Sequence, residues 1–288
     1  MKKIYFVFIA FMLSSCFMMS CKASSTKAQA ADTLVVETDS CILKEGKTLD
    51  CTIRADFPTG TDELSQSVRE VLNQKLAEAF LAPATEEEGK NYKAYSGDLS
   101  NGNVVLEKYC KDNFDYLKAQ MEDIKKFEPA ANVFMNYEVN LTLKEETEHY
   151  ITYNQSSYAY LAGAHGSSFD NSFNIVKKTG KLLTQTVDTT QVKALQPILR
   201  KGVLSYLNEY NKEDPVTDKT LNEYLFIENG IIPLPAHTPC LTKDGVHFAY
   251  QQYEIGPYAM GIVEFTVPYA EIKPYLVSEV QQLLKQKI

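Results

Sequence analysis

The most regular pattern in the chain is an alternation of apolar and mainly polar residues between residues 133 and 144. Its apolar positions are Val133, Met135, Tyr137, Val139, Leu141 and Leu143. A period of two over this length predicts a long, half-buried strand with antiparallel pairing. The Tyr- and Thr-rich segment 149–161 predicts a second strand, and a turn near residues 145–147 joins the two as a hairpin.

Further strands and helices are predicted on both sides of this hairpin. Strand patterns occur at residues 33–38, 49–57, 173–176, 181–186, 246–250 and 263–267. Helical spacing of apolar residues occurs from Thr61, as N-cap, to Phe80, and at about residues 104–127, 198–210 and 274–284. Because strands and helices are clustered without regular βαβ alternation, the predicted fold class is α+β, with helices packed on antiparallel sheets. We expect this body to consist of two closely associated subdomains.

The first 20 residues have the pattern of a bacterial export signal. Two lysines precede an apolar run from Ile4 to Leu13, which is too short to span a membrane. Small residues then precede a cysteine twice, as in the lipobox of bacterial lipoproteins, where the thiol is acylated. Cys21 is the preferred site because a polar tether, residues 21–34, follows it at once; Cys16 and a plain secretory signal are the alternatives. The sequence therefore predicts an exported protein anchored by lipid to the bacterial envelope, on the outer membrane or the cell surface, with the periplasmic side as the alternative.

The chain is acidic, with 29 Lys and Arg against 37 Asp and Glu and a net charge of −8 over 288 residues. Removal of residues 1–20 takes away two lysines and no acid, which leaves −10. A content of 44% hydrophobic and 23% charged residues is typical of a folded globular protein. Nucleic-acid binding relies on clustered Lys and Arg, so this balance argues against it and favours a cationic or cell-wall partner.

Four cysteines remain beyond the signal segment, at Cys41, Cys51, Cys110 and Cys240. In an oxidising compartment an even number predicts two disulfides, and three pairings are possible. A Cys41–Cys51 bridge across a hairpin, with Cys110–Cys240 as the second, is the simplest of them. Free buried thiols are the alternative. No close C-x-x-C pair exists, so we do not expect a metal site.

The sequence contains no recognised catalytic motif. H-x-x-x-H, H-E-x-x-H, G-x-S-x-G, the P-loop and G-x-G-x-x-G are all missing from it. His165 precedes Ser167 and Ser168, but sequence neighbours rarely form a base–nucleophile pair, and no acid partner stands out. We therefore expect no catalytic residue, metal or cofactor, and we expect His165 to bind the loop backbone or a ligand.

Two Tyr-rich segments are the best candidates for a binding site. Residues 158–166 are the end of a predicted strand and its loop, and residues 253–261 contain a Gly-Pro turn. Tyrosines on a strand commonly pack a core face, but they are also favoured at interfaces for their rigid, amphipathic area. Both interpretations stay open at this point. The candidate binding residues are Tyr158, Tyr160, Gly163, His165, Glu254 and Tyr258.

Three segments of the second half carry recognisable motifs. Residues 158–166 read Y-A-Y-L-A-G-A-H-G, similar to the signature Y-x-Y-x-G-G-A-H-G, and a hairpin F-N-I-V-K-K-T-G-K-L-L-T follows. Residues 248–261 read F-A-Y-Q-Q-Y-E-I-G-P-Y-A-M-G, with V-P-Y-A-E-I after them. These motifs resemble a family of bacterial extracytoplasmic proteins with paired domains of unknown function, 4163 and 3298. The family includes the extracellular part of a lysozyme-sensing anti-sigma factor and the non-catalytic N-terminal part of a peptidoglycan deacetylase.

This resemblance implies a 4163-like domain in residues 35–164 and a 3298-like domain in residues 165–288. The sequence differs from the family signature at Ala162, where the family more often has glycine. What the resemblance implies is a sensory or binding role, since the chain lacks the deacetylase catalytic domain and the sigma-binding segment. We expect the ligand to be a cationic, lysozyme-like protein or a cell-wall fragment. A carbohydrate- or muropeptide-binding module is the alternative, and a hydrolase of unrecognised type is the least favoured.

Overall fold

The structure is a computed structural model that describes residues 33–81, 93–129 and 132–285. These residues belong to one compact unit, residues 33–288. The predicted signal segment with Cys16 and Cys21, and nearly all of the tether, lie outside the described residues. Within the described ranges, no helix is both long and apolar enough to cross a membrane.

A six-stranded sheet forms from the first two thirds of the chain. Its strands, in spatial order, are β1 (Val36–Glu45), β2 (Leu49–Pro58), β3 (Met135–Glu146), β4 (Tyr150–Leu161), β5 (Ser167–Val176) and β6 (Lys181–Leu182). The predicted β3–β4 hairpin is confirmed, with Tyr158 opposite Glu138 and Tyr160 opposite Asn136. Neighbours are antiparallel except β2 and β3, which run parallel. Two parallel neighbours need a crossover connection, and the helices between β2 and β3 supply it.

Helices α1 (Glu63–Glu78) and α2 (Gly102–Phe127) pack on one face of this sheet. Their apolar stripes, with Leu72 and Leu106 fully buried, form the first hydrophobic core against β1 to β5. The N-cap of α1 is Asp62 and not the predicted Thr61. The Asp62 carboxylate accepts the backbone N–H of Ser65 at 2.8 Å and its hydroxyl at 2.6 Å.

The second part of the chain contains α3 and a three-stranded antiparallel sheet. The elements are α3 (Val192–Tyr210), α4 (Leu221–Tyr224), β7 (Cys240–Leu241), β8 (Gly245–Tyr250), β9 (Val263–Pro268), α5 (Tyr269–Ile272) and α6 (Ser278–Lys285). Helix α3 begins six residues before the predicted start, so Pro197 lies inside it. The predicted strand 181–186 is only the two residues of β6.

The described residues contain two hydrophobic cores. The α+β fold class is confirmed, with helices on largely antiparallel sheets. Side chains from Leu34 to Ile175 form the first core, and side chains from Tyr150 to Val280 form the second. The first sheet continues to Leu182, and the division of the body at residues 164 and 165 stays a prediction.

The four cysteines of the described body are free, so the predicted disulfides are wrong for this structure. Helix α2 crosses the β1–β2 hairpin, and the Cys110 thiol therefore contacts the carbonyls of Cys41 at 3.4 Å and Cys51 at 3.5 Å. Cys240 is buried on β7 in the second part of the chain, where its thiol contacts the Leu241 carbonyl at 3.3 Å. A Cys110–Cys240 pair is thus excluded by the packing of α2. Burial and the Cys110 hydrogen bond raise the pKa of Cys41 to about 12, which keeps that thiol protonated.

Candidate binding surface

The two Tyr-rich segments predicted as binding loops lie against each other. Side chains of the loop after β8 satisfy backbone groups on the open edge of β5. Gln251 accepts the N–H of Asp170 at 3.1 Å and donates to its carbonyl at 2.8 Å. Gln252 accepts the N–H of Ser168 at 2.9 Å. The loop therefore replaces a strand at this edge, which brings residues 253–261 beside residues 162–166.

A stacked pair of rings joins the two loops. The rings of His165 and Tyr258 have centroids 3.9 Å apart and an interplanar angle of 27°. The Tyr258 hydroxyl donates to the Gly166 carbonyl at 2.9 Å, and the same carbonyl lies 2.9 Å from His165 Nδ1. A carbonyl only accepts, so Nδ1 carries the hydrogen, and in the neutral ring Nε2 is left as an acceptor. The Tyr253 hydroxyl lies 3.4 Å from that Nε2.

Tyr253 and Tyr158 extend this pair into an exposed aromatic group. The Tyr253 ring lies 5.7 Å from that of Tyr258 and is 57% exposed. Tyr158 is 40% exposed, and its hydroxyl lies where a Cβ on Gly166 would project, at 2.2 Å from that position. Any side chain at Gly166 would displace this hydroxyl. We call the four residues Tyr158, His165, Tyr253 and Tyr258 the aromatic surface.

Tyr160 belongs to the neighbouring part of the outer sheet face. Successive residues of β4 alternate between the two faces of the sheet. Tyr158 and Tyr160 therefore lie on the outer face, which is the face not covered by α1 and α2. The Tyr160 ring stacks on Phe134 with centroids 6.0 Å apart, and Phe134 is 44% exposed. Tyr150 and Tyr153 of the same strand are instead fully buried, and the Tyr153 hydroxyl donates to the Asp56 carbonyl at 2.9 Å. The strand therefore has two tyrosines in the cores and two on its outer face.

The other two candidate residues, Glu254 and Gly163, lie in the loops beside the aromatic surface. Glu254 accepts the backbone N–H of Gln251 at 2.7 Å and that of Ala236 at 2.6 Å, so its carboxylate braces two loops. Gly163 is exposed, and a Cβ there would meet no atom within 4 Å. The left-handed backbone of this loop falls instead on Ala162, with φ of 59°. Ala162 is the position at which the sequence departs from the signature that it resembles.

Tyr253 and Phe134 were not among the candidate residues from the sequence. Tyr253 has φ of 67°, an uncommon conformation for a residue with a Cβ. Strained backbone of this kind is concentrated at functional positions, where the surrounding structure maintains it. The neighbouring Glu254 was selected from the sequence as a candidate, whereas Tyr253 was not. A positive φ at a tyrosine cannot be recognised from the sequence. Phe134 is the one apolar residue on the polar side of the β3 alternation, and this could have singled it out.

The histidines of the structure have separate environments. The His165 ring contacts a backbone carbonyl and a tyrosine hydroxyl, as described above. His247 lies 3.5 Å from Glu264, and its hydrogen bond holds the pKa of that carboxyl below the usual range. His149 Nε2 is buried without a partner among the described residues. Within the same residues, no group of three His, Cys, Asp or Glu side chains is arranged to hold a metal ion.

The fold is shared with two solved structures. A member of the DUF3298 family from Bacteroides fragilis superposes with a TM-score of 0.60 at 20% identity, over 88% of this chain and 99% of that one. A DUF3298 family protein from Pseudomonas aeruginosa superposes with a TM-score of 0.55 at 15% identity, over 87% of this chain and 97% of that one. At these identities the likeness establishes the fold alone.

Sequence comparison covers a smaller part of the chain. No curated protein sequence matches it. The matching family model spans α3, the three-stranded sheet and the start of α5. Residues 183–270 thus match the family described as "Protein of unknown function (DUF3298)", within the segment predicted from the sequence as 3298-like.

Proposed function

We propose that the protein is a lipid-anchored binding protein of the bacterial envelope, which captures an extracytoplasmic ligand on the aromatic surface. The observation that carries this proposal is the His165–Tyr258 stack with the exposed rings of Tyr253 and Tyr158 beside it. Exposed tyrosines held by stacking lose little conformational entropy on binding, which makes them effective contact residues. A strained backbone at Tyr253 is consistent with selection for display of this ring.

The first ligand class is a cationic protein such as lysozyme. The chain has a net charge of −8, or −10 without residues 1–20. Long-range attraction between such a body and a basic protein raises the association rate and weakens as salt increases. Tyrosine is also enriched at protein interfaces, where it supplies apolar area and a hydrogen-bonding hydroxyl. A sensory role would follow from capture of this partner at the envelope.

A muropeptide or other cell-wall carbohydrate is the second ligand class. The observation that favours it is the composition of the outer sheet face beside Tyr158 and Tyr160. Asn136 and Glu138 lie directly opposite these tyrosines on β3, and Ser168 lies opposite Tyr158 on β5. Neutral donors and acceptors beside exposed rings are the chemistry that a sugar with hydroxyl groups requires.

Titration calorimetry of the purified protein tests both classes. Lysozyme is added at about 20 mM and about 150 mM salt, and soluble muropeptides are added separately. Binding of either that is lost in Tyr253→Ala and Tyr258→Ala supports the proposal. Tyr224→Ala is the matched control, because Tyr224 is 44% exposed on α4, outside the aromatic surface. The proposal is contradicted if neither ligand binds at about 100 μM. It is also contradicted if Tyr224→Ala loses as much binding as the two variants of the aromatic surface.

The lipid anchor has a separate test. The chain is expressed in a bacterium with a labelled fatty acid, and label in the purified protein is measured. We expect label in the original chain and in Cys16→Ala, and none in Cys21→Ala. Label retained in Cys21→Ala and lost in Cys16→Ala would move the acylation site to Cys16. Absence of label from all three proteins would contradict the anchor.

A further inference from the structure

A cavity of about 340 Å³ lies on the helix-covered face of the six-stranded sheet, away from the aromatic surface. Its floor consists of three cross-strand pairs of β4 and β5. These are Gln155 with Asn171, Ser157 with Phe169, and Ala159 with Ser167. Tyr158 lies between two of these β4 residues and therefore faces the opposite side of the sheet. The C-terminal end of α1 and the loop with His237 form the walls.

Gln155 is the unusual residue of this floor. Only 7% of this residue is exposed. Within the described part of the chain its side-chain amide makes no hydrogen bond to the protein, and the residue lines the cavity. Among the described residues the one fully buried side-chain atom without a partner is His149 Nε2, so the Gln155 amide is not sealed in the core and instead opens onto the cavity. Its hydrogen-bonding capacity there is free for water or for a ligand. Retention of this amide at the floor of a cavity is the pattern expected when a ligand supplies the missing partner.

The charges of the cavity balance. Lys75 lies 2.7 Å from Glu78 across one turn of α1, so the two charged groups at the wall neutralise each other. Burial lowers the pKa of His237, with Lys75 as the next cause, and this favours the neutral imidazole. The remaining polar groups are amides and hydroxyls, each able both to donate and to accept. An ionised ligand would find no counter-charge that is free to pair with it in this lining.

Apolar walls complete the cavity. The Phe169 ring meets the His237 ring edge to face, with centroids 5.0 Å apart. Phe80 and Tyr137 also line the space. The volume lies at the lower end of the range for small-molecule sites, about 300–1,000 Å³. The site therefore combines neutral hydrogen-bonding groups on the floor with aromatic walls, at the size of one small ring.

We infer that this cavity is a binding site for one uncharged monosaccharide unit, with the Gln155 amide as its buried hydrogen-bonding anchor. A sugar ring presents hydroxyl groups that both donate and accept, together with C–H faces that pack on aromatic rings. The site is independent of the partner of the aromatic surface, because the two lie on opposite faces of the sheet. Failure of one proposal therefore leaves the other standing.

The test is a titration of the ¹⁵N-labelled protein by NMR. Glucose and N-acetylglucosamine are the neutral probes, and glucuronate is the matched anionic one, each added to about 10 mM. We expect a neutral sugar to shift the side-chain amide signals of Gln155 and the backbone signals of residues 155–159 and 167–171. No shift with either neutral sugar overturns the inference. Binding of glucuronate as strong as that of glucose overturns it as well.

Gln155→Leu separates a ligand-binding amide from a structural one. Leucine is similar in size and lacks the unpaired amide, so we expect an unchanged or higher urea midpoint together with loss of the sugar shifts. A clearly lower midpoint would show that the amide stabilises the fold, which contradicts the inference. Gln282→Leu makes the same change at an exposed position of α6 and should leave both properties unchanged. The wild-type shift map decides the question if Gln155→Leu does not fold.

Discussion

The hydroxyl of Tyr258 donates to the carbonyl of Gly166 at 2.9 Å, and this bond fixes one binding loop on the other. The same tyrosine stacks on His165, the residue before Gly166. One side chain therefore aligns both the backbone and the aromatic ring of the loop between β4 and β5. The two segments that the sequence singled out as candidates for a binding site lie on one surface, and Tyr258 joins them together with Gln251 and Gln252.

Removal of that hydroxyl should lower stability by a small, measurable amount. In Tyr258→Phe the ring stack is retained and the Gly166 carbonyl loses a donor. We expect a loss of about 1 kcal/mol in the free energy of unfolding, measured by urea denaturation. Tyr253→Phe is the control, since the Tyr253 hydroxyl is exposed and lies at a longer distance, 3.4 Å, from its partner. Equal effects of the two variants would contradict this account of Tyr258.

Ala162→Gly should stabilise the protein. Ala162 has φ of 59°, where a Cβ costs roughly 1–2 kcal/mol in steric repulsion. Glycine has no Cβ but is more flexible in the unfolded chain, so we expect a net gain of up to about 1 kcal/mol. Ala164, two residues further on, does not have a positive φ. Ala164→Gly should therefore lower the free energy of unfolding by about 0.4–1 kcal/mol. Thermal unfolding of both variants measures the difference, and a loss in Ala162→Gly would refute the prediction.

Asn174→Ala should weaken the connection between the two sheets. The Asn174 amide accepts the N–H of Leu241 at 2.6 Å and donates to its carbonyl at 2.9 Å, and it also donates to the Thr152 hydroxyl. All three residues are buried, so truncation leaves the Leu241 N–H without its partner, while the Leu241 carbonyl keeps only the Thr152 hydroxyl and the Cys240 thiol, each at 3.3 Å. We expect a loss of about 2–3 kcal/mol in urea unfolding. Asn140→Ala, at a less buried position on β3, is the control and should cost less than 1 kcal/mol.

The N-cap of α1 should make stability depend on acid pH. Hydrogen bonds from Ser65 hold the pKa of Asp62 below its ordinary value of 3.8. A lowered pKa in the folded state means that the stabilisation is present above 3.8 and is lost as the pH falls through the folded-state pKa. Asp62→Ala should therefore cost about 1 kcal/mol at neutral pH, and this difference should shrink below pH 3.8.

Asp62→Asn is the matched variant for this pH dependence. Asparagine keeps a capping oxygen and does not titrate, so its stability relative to Asp62→Ala should stay constant with pH. Urea unfolding from pH 2 to pH 7 compares the three proteins. A cost of Asp62→Ala that is the same at both ends of this range would refute the assignment of a charged cap.

Much of the local structure follows from the sequence pattern. The alternation from Val133 to Leu143 predicts β3 because one face of that strand is buried under α1 and α2. The helical spacing around Leu106 predicts α2 for the same reason. Predictions near Thr61 and Pro197 were wrong in position, because capping and the start of a helix depend on one or two hydrogen bonds and not on a repeated pattern.

The candidate site was predicted in part. Tyr158, His165 and Tyr258 meet on one surface, whereas Glu254 supports the backbone of two loops. The exposed ring of Tyr253 and the buried amide of Gln155 had no signal in the sequence. Tyrosine occurs eighteen times in the chain, and its local pattern does not distinguish a displayed ring from a buried one. Exposure depends on what the rest of the fold places over the strand.

The sequence by itself determined the α+β class and the approximate positions of the long elements such as β3 and α2, because alternation and helical spacing record which side chains face a core. It also determined the acidic charge and the match of residues 183–270 to the DUF3298 family model. Only the tertiary structure decided which distant residues meet. Packing of α2 on the hairpin brings Cys110 to Cys41 and Cys51 and not to Cys240, and the loop after β8 brings Tyr258 to His165. Such contacts join residues far apart in sequence, so no local pattern encodes them.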